Sequence, residues 1–476
     1  MLIHVVQSGE TLYNIAARYQ VPYEQLIEVN GLPNPNQLVV GEALLIPSYG
    51  RLYTVREGDS LWGIAQQNGT TVQAILRYNP AGSATIYPGQ ILYIPAPRHI
   101  VRPGENLSTI AQQYGVSVQS IIDANNIKNP NFILPGTMLI IPFSDKPAID
   151  VNGYIYIEGE AAVPSVNEVG EYLTYLSPFA YLIKEDGSLQ PFDDMPAIDA
   201  AVSKNAVPMM AITNFTSTSV GENLAHIVLT TPQIVNNLLD NIITVMQEKG
   251  YKGVNIDFEN VLPEDREAYN NFLQTTVDRL HPLGYFVSTA LAPKTSANQP
   301  GSLYEAHDYA AHGRIVDFVV LMTYEWGYRK GPPQAISPIN QIRRVLDYAV
   351  TVIPRDKILL GFQIYARDWL LPHVAGQEAE TFSVQEALDR AYRYGATIQY
   401  DQTSQSPFYN YTDEQGRMHE VWFEDPRSAQ AKFDTIKEYN LRGVSYWALG
   451  FPFPQNWSLL NSTFTTNKNP QFPFET

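Results

Sequence analysis

Cysteine is absent from all 476 residues, which excludes a disulfide framework and any thiolate metal site. Histidine is sparse. Its eight copies are scattered, with no HExxH and no close pair, so no metal centre and no cofactor are expected. Basic residues are outnumbered, 31 Lys and Arg against 48 Asp and Glu, for a net charge of −17. A nucleic-acid partner would call for basic patches, and none is expected. No run approaches the roughly 18 apolar residues of a membrane-spanning helix, so no membrane insertion is expected. The opening "MLIHVVQSGETL" lacks a basic start followed by an apolar run, and no secretion signal is read there. The Asn-x-Ser/Thr triplets at Asn68, Asn106, Asn214, Asn410, Asn456 and Asn461 are accordingly read as chance. With 45% hydrophobic and 17% charged residues, the chain has the composition of a well-packed globular protein, and its length suggests two to four domains.

Internal repetition is the first thing present. "HVVQSGETLYNIAARY", "YTVREGDSLWGIAQQN" and "HIVRPGENLSTIAQQY" align without gaps. Each continues to an Asn (Asn30, Asn79, Asn125), then a Gly (Gly41, Gly89, Gly136), then an apolar run closed by Pro47, Pro95 or Pro142. Each unit reads as strand, helix, helix, strand: a turn runs into a helix start at "SGETL", "EGDSL" and "PGENL", and a final strand ends on Pro. The three units, over 1–48, 51–96 and 98–144, resemble the LysM module. The resemblance implies binding of glycans that contain N-acetylglucosamine, either peptidoglycan or chitin. Linked modules raise the local concentration of the next contact, so avidity can exceed a single affinity by roughly 10²–10⁴. Trp62 of the second unit is expected in its core.

After "PFSDKPAID" the repeat stops. Apolar runs then alternate with helical patterns: "VNGYIYI", "LTYLSPFAYLI", "VPMMAITNF", "GVNIDFE", "YFVSTALAP", "VDFVVLMTYEW", "KILLGFQIYA" and "GVSYWALG". Eight parallel-type strands with intervening helices predict an α/β fold, a (β/α)8 TIM barrel, over 149–470. The surplus length lies between the seventh and eighth strands. There, "TIQYDQTSQSPFYNYTDEQGRMHEVWFED" reads as part of a small α+β insertion at about 370–425, with "DEQG" as a turn between two aromatic-rich runs.

The fourth strand, "GVNIDFE", carries the chemistry. Residues two apart share a face, so Val254, Ile256 and Phe258 are expected under the helices, while Asn255, Asp257 and Glu259 climb the lumen to the rim. A buried ion-pair network is the competing reading, but no Lys or Arg lies on that face, and Lys252 is one residue out of register with it. Two carboxylates one pleat apart suit proton management. The one in the drier, like-charged setting holds a proton for a leaving oxygen while its partner stays ionised. Behind glycan-binding repeats, a glycosidic bond is the natural target.

"GVNIDFE" resembles the DxxDxDxE signature of family 18 glycoside hydrolases. "LMTYEWG" is similar to the family's MxYD segment on the sixth strand, "GFQIYA" to its seventh, and "GVSYWALG" to the eighth, which carries a floor tryptophan. The resemblance implies that Glu259 is the general acid and later the base. It makes Asp257 the residue that orients the substrate's own acetamide, which closes on C1, and Tyr324 a hydrogen-bond donor to that group. Trp447 becomes the floor under the reacting sugar. Asn255, Glu325 and Met322 are expected at the substrate by the same carry-over. Gln363 and Asn214, near the ends of apolar strands, are further candidate sugar ligands, and Tyr365, Trp326 and Trp369 candidate stacking platforms; for each of the five, ordinary packing is weighed equally. Two signature aspartates are replaced, by Lys252 and Asn255, and the MxYD aspartate is Glu325. Because an amide cannot share a proton, Asp257 is expected to stay ionised more readily here.

Repeats of this kind ahead of this barrel, without a signal or cysteine, look most like spore-cortex-lytic N-acetylglucosaminidases, which are deposited on the spore from the mother cell at the coat–cortex boundary. Two other readings stand beside that one: a chitinase, and an inactive lectin-like glycan binder.

Overall fold

The computed structural model describes residues 1–79, 85–125, 127–143, 146–215 and 222–472. They fall into two compact units, Met1–Pro147 with Pro454–Phe464, and Ala148–Phe453 with Thr465–Thr476.

In the first unit each repeat is an antiparallel strand pair with two helices between its strands. The strand pairs are Leu2–Val5 with Ala43–Ile46, Gly50–Thr54 with Ile91–Pro95, and Arg98–Ile100 with Met138–Ile140. The recurring residues have physical causes. Gly9, Gly58 and Gly104 turn at φ of +82° to +87°, a region that costs a side chain and not glycine. Thr11, Ser60 and Asn106 then cap the first helix through their side chains.

The repeated asparagine is a clamp. Asn125 Nδ2 donates to Ile121 O and Ile140 O, both at 2.8 Å, and its Oδ1 accepts from Ile140 N at 2.8 Å. Asn30 and Asn79 tie the second helix to the last strand in the same way.

The repeats are not beads on a string. The core of the first contains Tyr78 and Tyr93 of the second, with ring centroids 5.9 Å apart for Tyr19–Tyr78 and 5.6 Å for Tyr78–Tyr93. Phe143 packs on the core of the second repeat, beneath the Arg51 guanidinium at 4.8 Å. Trp62 departs from expectation: it is 69% exposed, as is Tyr13 (71%) at the aligned position of the first repeat. Both follow the buried Leu that opens the first helix and so point off its inner face. The helix Pro454–Thr463 belongs to this unit, where Gln455 Nε2 donates to Asn30 Oδ1 and Ala43 O.

The second unit is the barrel. Its strands are β1 (Ala148–Ile155), β2 (Tyr175–Pro178), β3 (Val207–Thr213), β4 (Gly253–Asp257), β5 (Phe286–Leu291), β6 (Phe318–Leu321), β7 (Ile358–Gln363) and β8 (Gly443–Trp447). Each pairs in parallel with the next, and β8 closes on β1 through Gly443↔Asp150 to Tyr446↔Gly153. Tyr175, Phe286, Phe318 and Phe472 fill the end of the lumen where the strands begin. A satisfied polar layer lies above them: Ser177 Oγ donates to Asn152 Oδ1 at 2.8 Å, and Asn152 Nδ2 to Ser445 Oγ at 2.9 Å.

The run "KILLGFQIYA" forms two strands rather than one. β7 ends at Gln363, and Tyr365–Leu371 opens an antiparallel five-stranded sheet with Glu380–Ser383, Gln399–Asp401, Ser406–Thr412 and Met418–Trp422. The helix Val384–Arg393 lies within this insertion. A buried charge cluster holds it: Asp368 accepts from Arg390, Tyr411 and His419 at 2.6–2.8 Å.

Replacing Asn125 by Ala removes three short hydrogen bonds and leaves the Ile140 N–H unpaired. The expected cost is about 1–3 kcal/mol, local to the third repeat. Hydrogen exchange should show protection of Met138–Ile140 falling at least about fivefold, with the barrel strands unchanged.

Candidate active site

The alternation expected of β4 and its continuation holds in space. Phe258 stacks on Tyr269 and Phe272 of the helix Arg266–Leu280, at 5.7 and 5.6 Å. Asn255 points the other way: its Oδ1 accepts from Tyr154 O–H at 2.8 Å, and its Nδ2 donates to Ser288 Oγ at 2.9 Å. Asn255 is wholly buried. It therefore supports the site from beneath and does not reach a sugar, against expectation, because both ends of its amide are occupied, by Tyr154 of β1 across the lumen and Ser288 of the adjacent β5.

Asp257 lies one pleat higher, 5% exposed, and its Oδ1 has no hydrogen-bond partner among the described residues. Glu259 stands at the rim, partly exposed. Asn214 grips its backbone from both sides: Nδ2 donates to Glu259 O at 2.8 Å and Oδ1 accepts from Glu259 N at 2.9 Å. Asn214 is thus a positioning residue rather than the sugar ligand expected, since these amide groups hold the peptide of Glu259.

Among the described residues no Lys, Arg or His forms an ion pair with Asp257 or Glu259. Burial, and then the charge of Glu259, pushes the Asp257 carboxyl well above the carboxylate range. Burial, and then Glu325, raises Glu259 to about 7. This direction runs against the ready ionisation expected of Asp257. Asn255 donates to Ser288 Oγ, and among the described residues no cation pairs with the Asp257 carboxyl.

Tyr324 and Glu325 follow β6. Gly361 of β7 makes room for the Tyr324 ring, because a Cβ there would stand 2.9 Å from Tyr324 Cε1 and 2.3 Å from Leu321 O. Tyr324 is partly exposed, and its hydroxyl stays protonated through burial and the nearby Tyr154 and Asp257. Glu325 holds a left-handed φ of +68°, unfavourable for a residue with a side chain. The guanidinium of Arg367 pins it with two bonds of 2.8 Å, and Tyr365 O–H donates to the same carboxylate. A two-pronged guanidinium–carboxylate pair of this kind is strong and directional.

Trp447 is partly exposed and sits edge-on to Phe179 at 4.8 Å and Tyr154 at 5.7 Å. Met322 and Trp326 are also partly exposed. Three further residues do not reach the open site. Tyr365 is 2% exposed beneath Arg367. Gln363 is buried, with Nε2 on Glu424, itself paired to the buried Lys432. Trp369 is core of the insertion, its Nε1 bonded to Gly331 O. Long polar and aromatic side chains near strand ends look alike in sequence whether they face the mouth or the insertion.

Tyr154, Tyr156, Ser288 and Arg367 were not among the residues singled out from the sequence. Tyr156 is 47% exposed and faces Trp447 and Phe451 at 6.3 Å. The two-residue period from Asn152 through Tyr154 to Tyr156 carries that signal. Arg367 has only a weak one, two residues beyond Tyr365 on a strand that the sequence merges with β7.

The raised carboxyls fix a sign for stability. The folded barrel binds protons that the unfolded chain releases near the ordinary carboxylate range, so stability falls as pH rises from there to about 7. Glu259→Gln removes one of the two repelling charges. Its melting temperature should match the parent near pH 4 and exceed it at pH 8, read from the barrel transition in calorimetry.

Comparison with known proteins places the two kinds of domain. The model for Glycosyl hydrolases family 18 matches residues 159–451, and the LysM domain matches 4–47, 53–95 and 99–142. The cortical fragment-lytic enzyme of Bacillus subtilis (strain 168) is 42% identical over 475 residues, spanning 98% of this chain and 99% of that protein. Among solved structures, the spore cortex-lytic enzyme SleL of Bacillus megaterium QM B1551 superimposes with a TM-score of 0.78 at 37% identity, covering 98% of this chain and 99% of its own. The Bacillus cereus SleL gives 0.68 at 40% identity, covering 88% and 99%.

Proposed function

The chain belongs to family 18 of the glycosyl hydrolases, and we propose that it cleaves, with retention, the β-1,4 bond after N-acetylglucosamine in peptidoglycan fragments of the spore cortex. The observation that carries the chemistry is a carboxyl at the rim one pleat above a buried carboxyl, with no cation paired to either among the described residues; burial shifts both upward, Glu259 to about 7. Glu259 gives its proton to the glycosidic oxygen, and the leaving sugar departs as an alcohol. No enzymic carboxylate attacks carbon. The carbonyl oxygen of the substrate's 2-acetamido group bonds to C1 and closes an oxazolinium ring, the substrate-assisted route.

Asp257 accepts the acetamide N–H on the oxygen that otherwise has no partner. That contact favours its charged form, moves the shared proton to Glu259, and places a negative charge against the oxazolinium. Tyr324 O–H bonds the acetamide carbonyl oxygen, and Trp447 supports the sugar from below. Water then attacks C1 as Glu259 takes its proton, the ring opens, and two inversions give retention.

The cortex assignment is supported by the names of the full-length relatives, and the LysM repeats are read as holding the enzyme on glycan at the coat–cortex boundary. A product assay tests it: new N-acetylglucosamine reducing ends from cortex fragments, and a loss of about 10²–10⁴-fold in Glu259→Gln on the general-acid contribution alone. Faster cleavage of N-acetylglucosamine oligomers would make the enzyme a chitinase. Binding without cleavage of either would make it a lectin. Because the acid must be protonated, kcat/KM should fall as pH rises through about 7, with a slope that Asp257→Asn alters.

A further inference from the structure

A cleft of about 420 Å³ opens inside the first unit where the three repeats meet, within the roughly 300–1,000 Å³ range of small-ligand sites. Gln25 contributes from the first repeat, Thr70, Arg77 and Tyr78 from the second, Arg98 from the third, and Tyr49 from the first linker. The walls are built in advance. Tyr78 belongs to the shared core of repeats one and two, and Tyr49 O–H reaches Asp123 O of the third repeat at 3.4 Å.

Its charge sets it apart. The chain carries 48 acidic residues and a net charge of −17, yet no Asp or Glu is among the described residues that line this cleft, and two arginines are. Arg77, half-buried on the helix Val72–Tyr78, has no hydrogen bond or ion pair among the described residues. Arg98 is exposed, and its one hydrogen bond among the described residues is to Met138 Sδ, at 3.7 Å. Some arginines elsewhere are neutralised by carboxylates, as in Arg18–Glu10, Arg343–Glu438 and Arg390–Asp368; among the described residues the two in the cleft are not. The planar fork of a guanidinium matches a carboxylate in two-pronged geometry, and a carboxylate gains charge pairing here that a neutral sugar hydroxyl does not.

We infer that the three-repeat cleft is a binding site for a carboxylate carried on the glycan strand, separate from the barrel mouth, with Arg77 and Arg98 as its anion ligands. The inference rests on the peptidoglycan reading, since N-acetylglucosamine polymers alone carry no such group. The carboxylate has two sources, the lactyl group of muramic acid or an attached peptide, and the site would favour strands that bear one.

Calorimetric titration of the full chain tests this, in a Glu259→Gln background that prevents turnover, with and without Arg77→Ala plus Arg98→Ala. The probes are a peptide-free muramic-containing tetrasaccharide, the same glycan with peptide, and an N-acetylglucosamine tetramer. Affinity for a carboxylate-bearing probe should fall about tenfold on losing the arginines, as for a charged hydrogen bond, while that for the neutral tetramer stays constant. Loss with both muramic probes assigns the lactyl group; loss only with the peptide-bearing one assigns the peptide. Equal affinities for the two proteins, or an equal loss on the neutral tetramer, would overturn the inference. Should the double variant not fold, salt serves instead: raising it must weaken the carboxylate probes and not the tetramer. Preferential cleavage of chitin in the product assay would overturn the cortex reading separately, without deciding this titration.

Discussion

Two carboxyl groups share the mouth of a lumen in which no described cation pairs with either, and much of the barrel is arranged around that repulsion. A buried carboxylate without a partner is so costly that it holds a proton instead, and a held proton is what a glycosidic oxygen needs. The layer beneath is neutral and fully bonded: Asn255 bridges Tyr154 and Ser288, and Asn152 bridges Ser177 and Ser445. It supports the acids without supplying charge. Above, the third anion, Glu325, is answered by Arg367 from the insertion sheet rather than by anything on the barrel strands. The insertion therefore does electrostatic work for the site: it compensates the acid that is not asked to carry a proton and leaves the pair on β4 uncompensated.

The first unit follows a different logic. Its first two repeats share tyrosines across their boundary, Phe143 packs on the second, and each repeat is clamped internally by an asparagine. Packing changes what repetition gives. Linkage alone raises local concentration, whereas repeats packed on one another create junctions that a single repeat lacks.

Much of this was legible in the sequence for identifiable reasons. Gap-free repetition exposed three βααβ units because each turn needs glycine at positive φ and each clamp needs asparagine. Alternation in "GVNIDFE" assigned faces because the pleat has period two, and Phe258 and Asn255 obey it. The failures share a cause. Asn214, Gln363 and Tyr365 sit near strand ends, where sequence cannot distinguish a side chain that meets substrate from one that holds a neighbour. Arg367 was hidden because its strand runs on from β7 with one intervening residue. Trp62 was misjudged because aromatic character outweighed its position just after the buried Leu61. The upward shift of the Asp257 carboxyl has a subtler cause: it comes from burial and from Glu259, and the depth at which Asp257 lies is visible only in the structure.

The central claim is that the β4 carboxyls retain a proton near neutrality, and infrared difference spectroscopy of the full chain, parent minus Glu259→Gln, measures it directly. A protonated-carboxyl band that persists to neutral pH and is lost with a midpoint at about 7 is the expected result. A band that disappears near pH 4, as for a solvated glutamate, would contradict the account, because Glu259 would then have no proton to give.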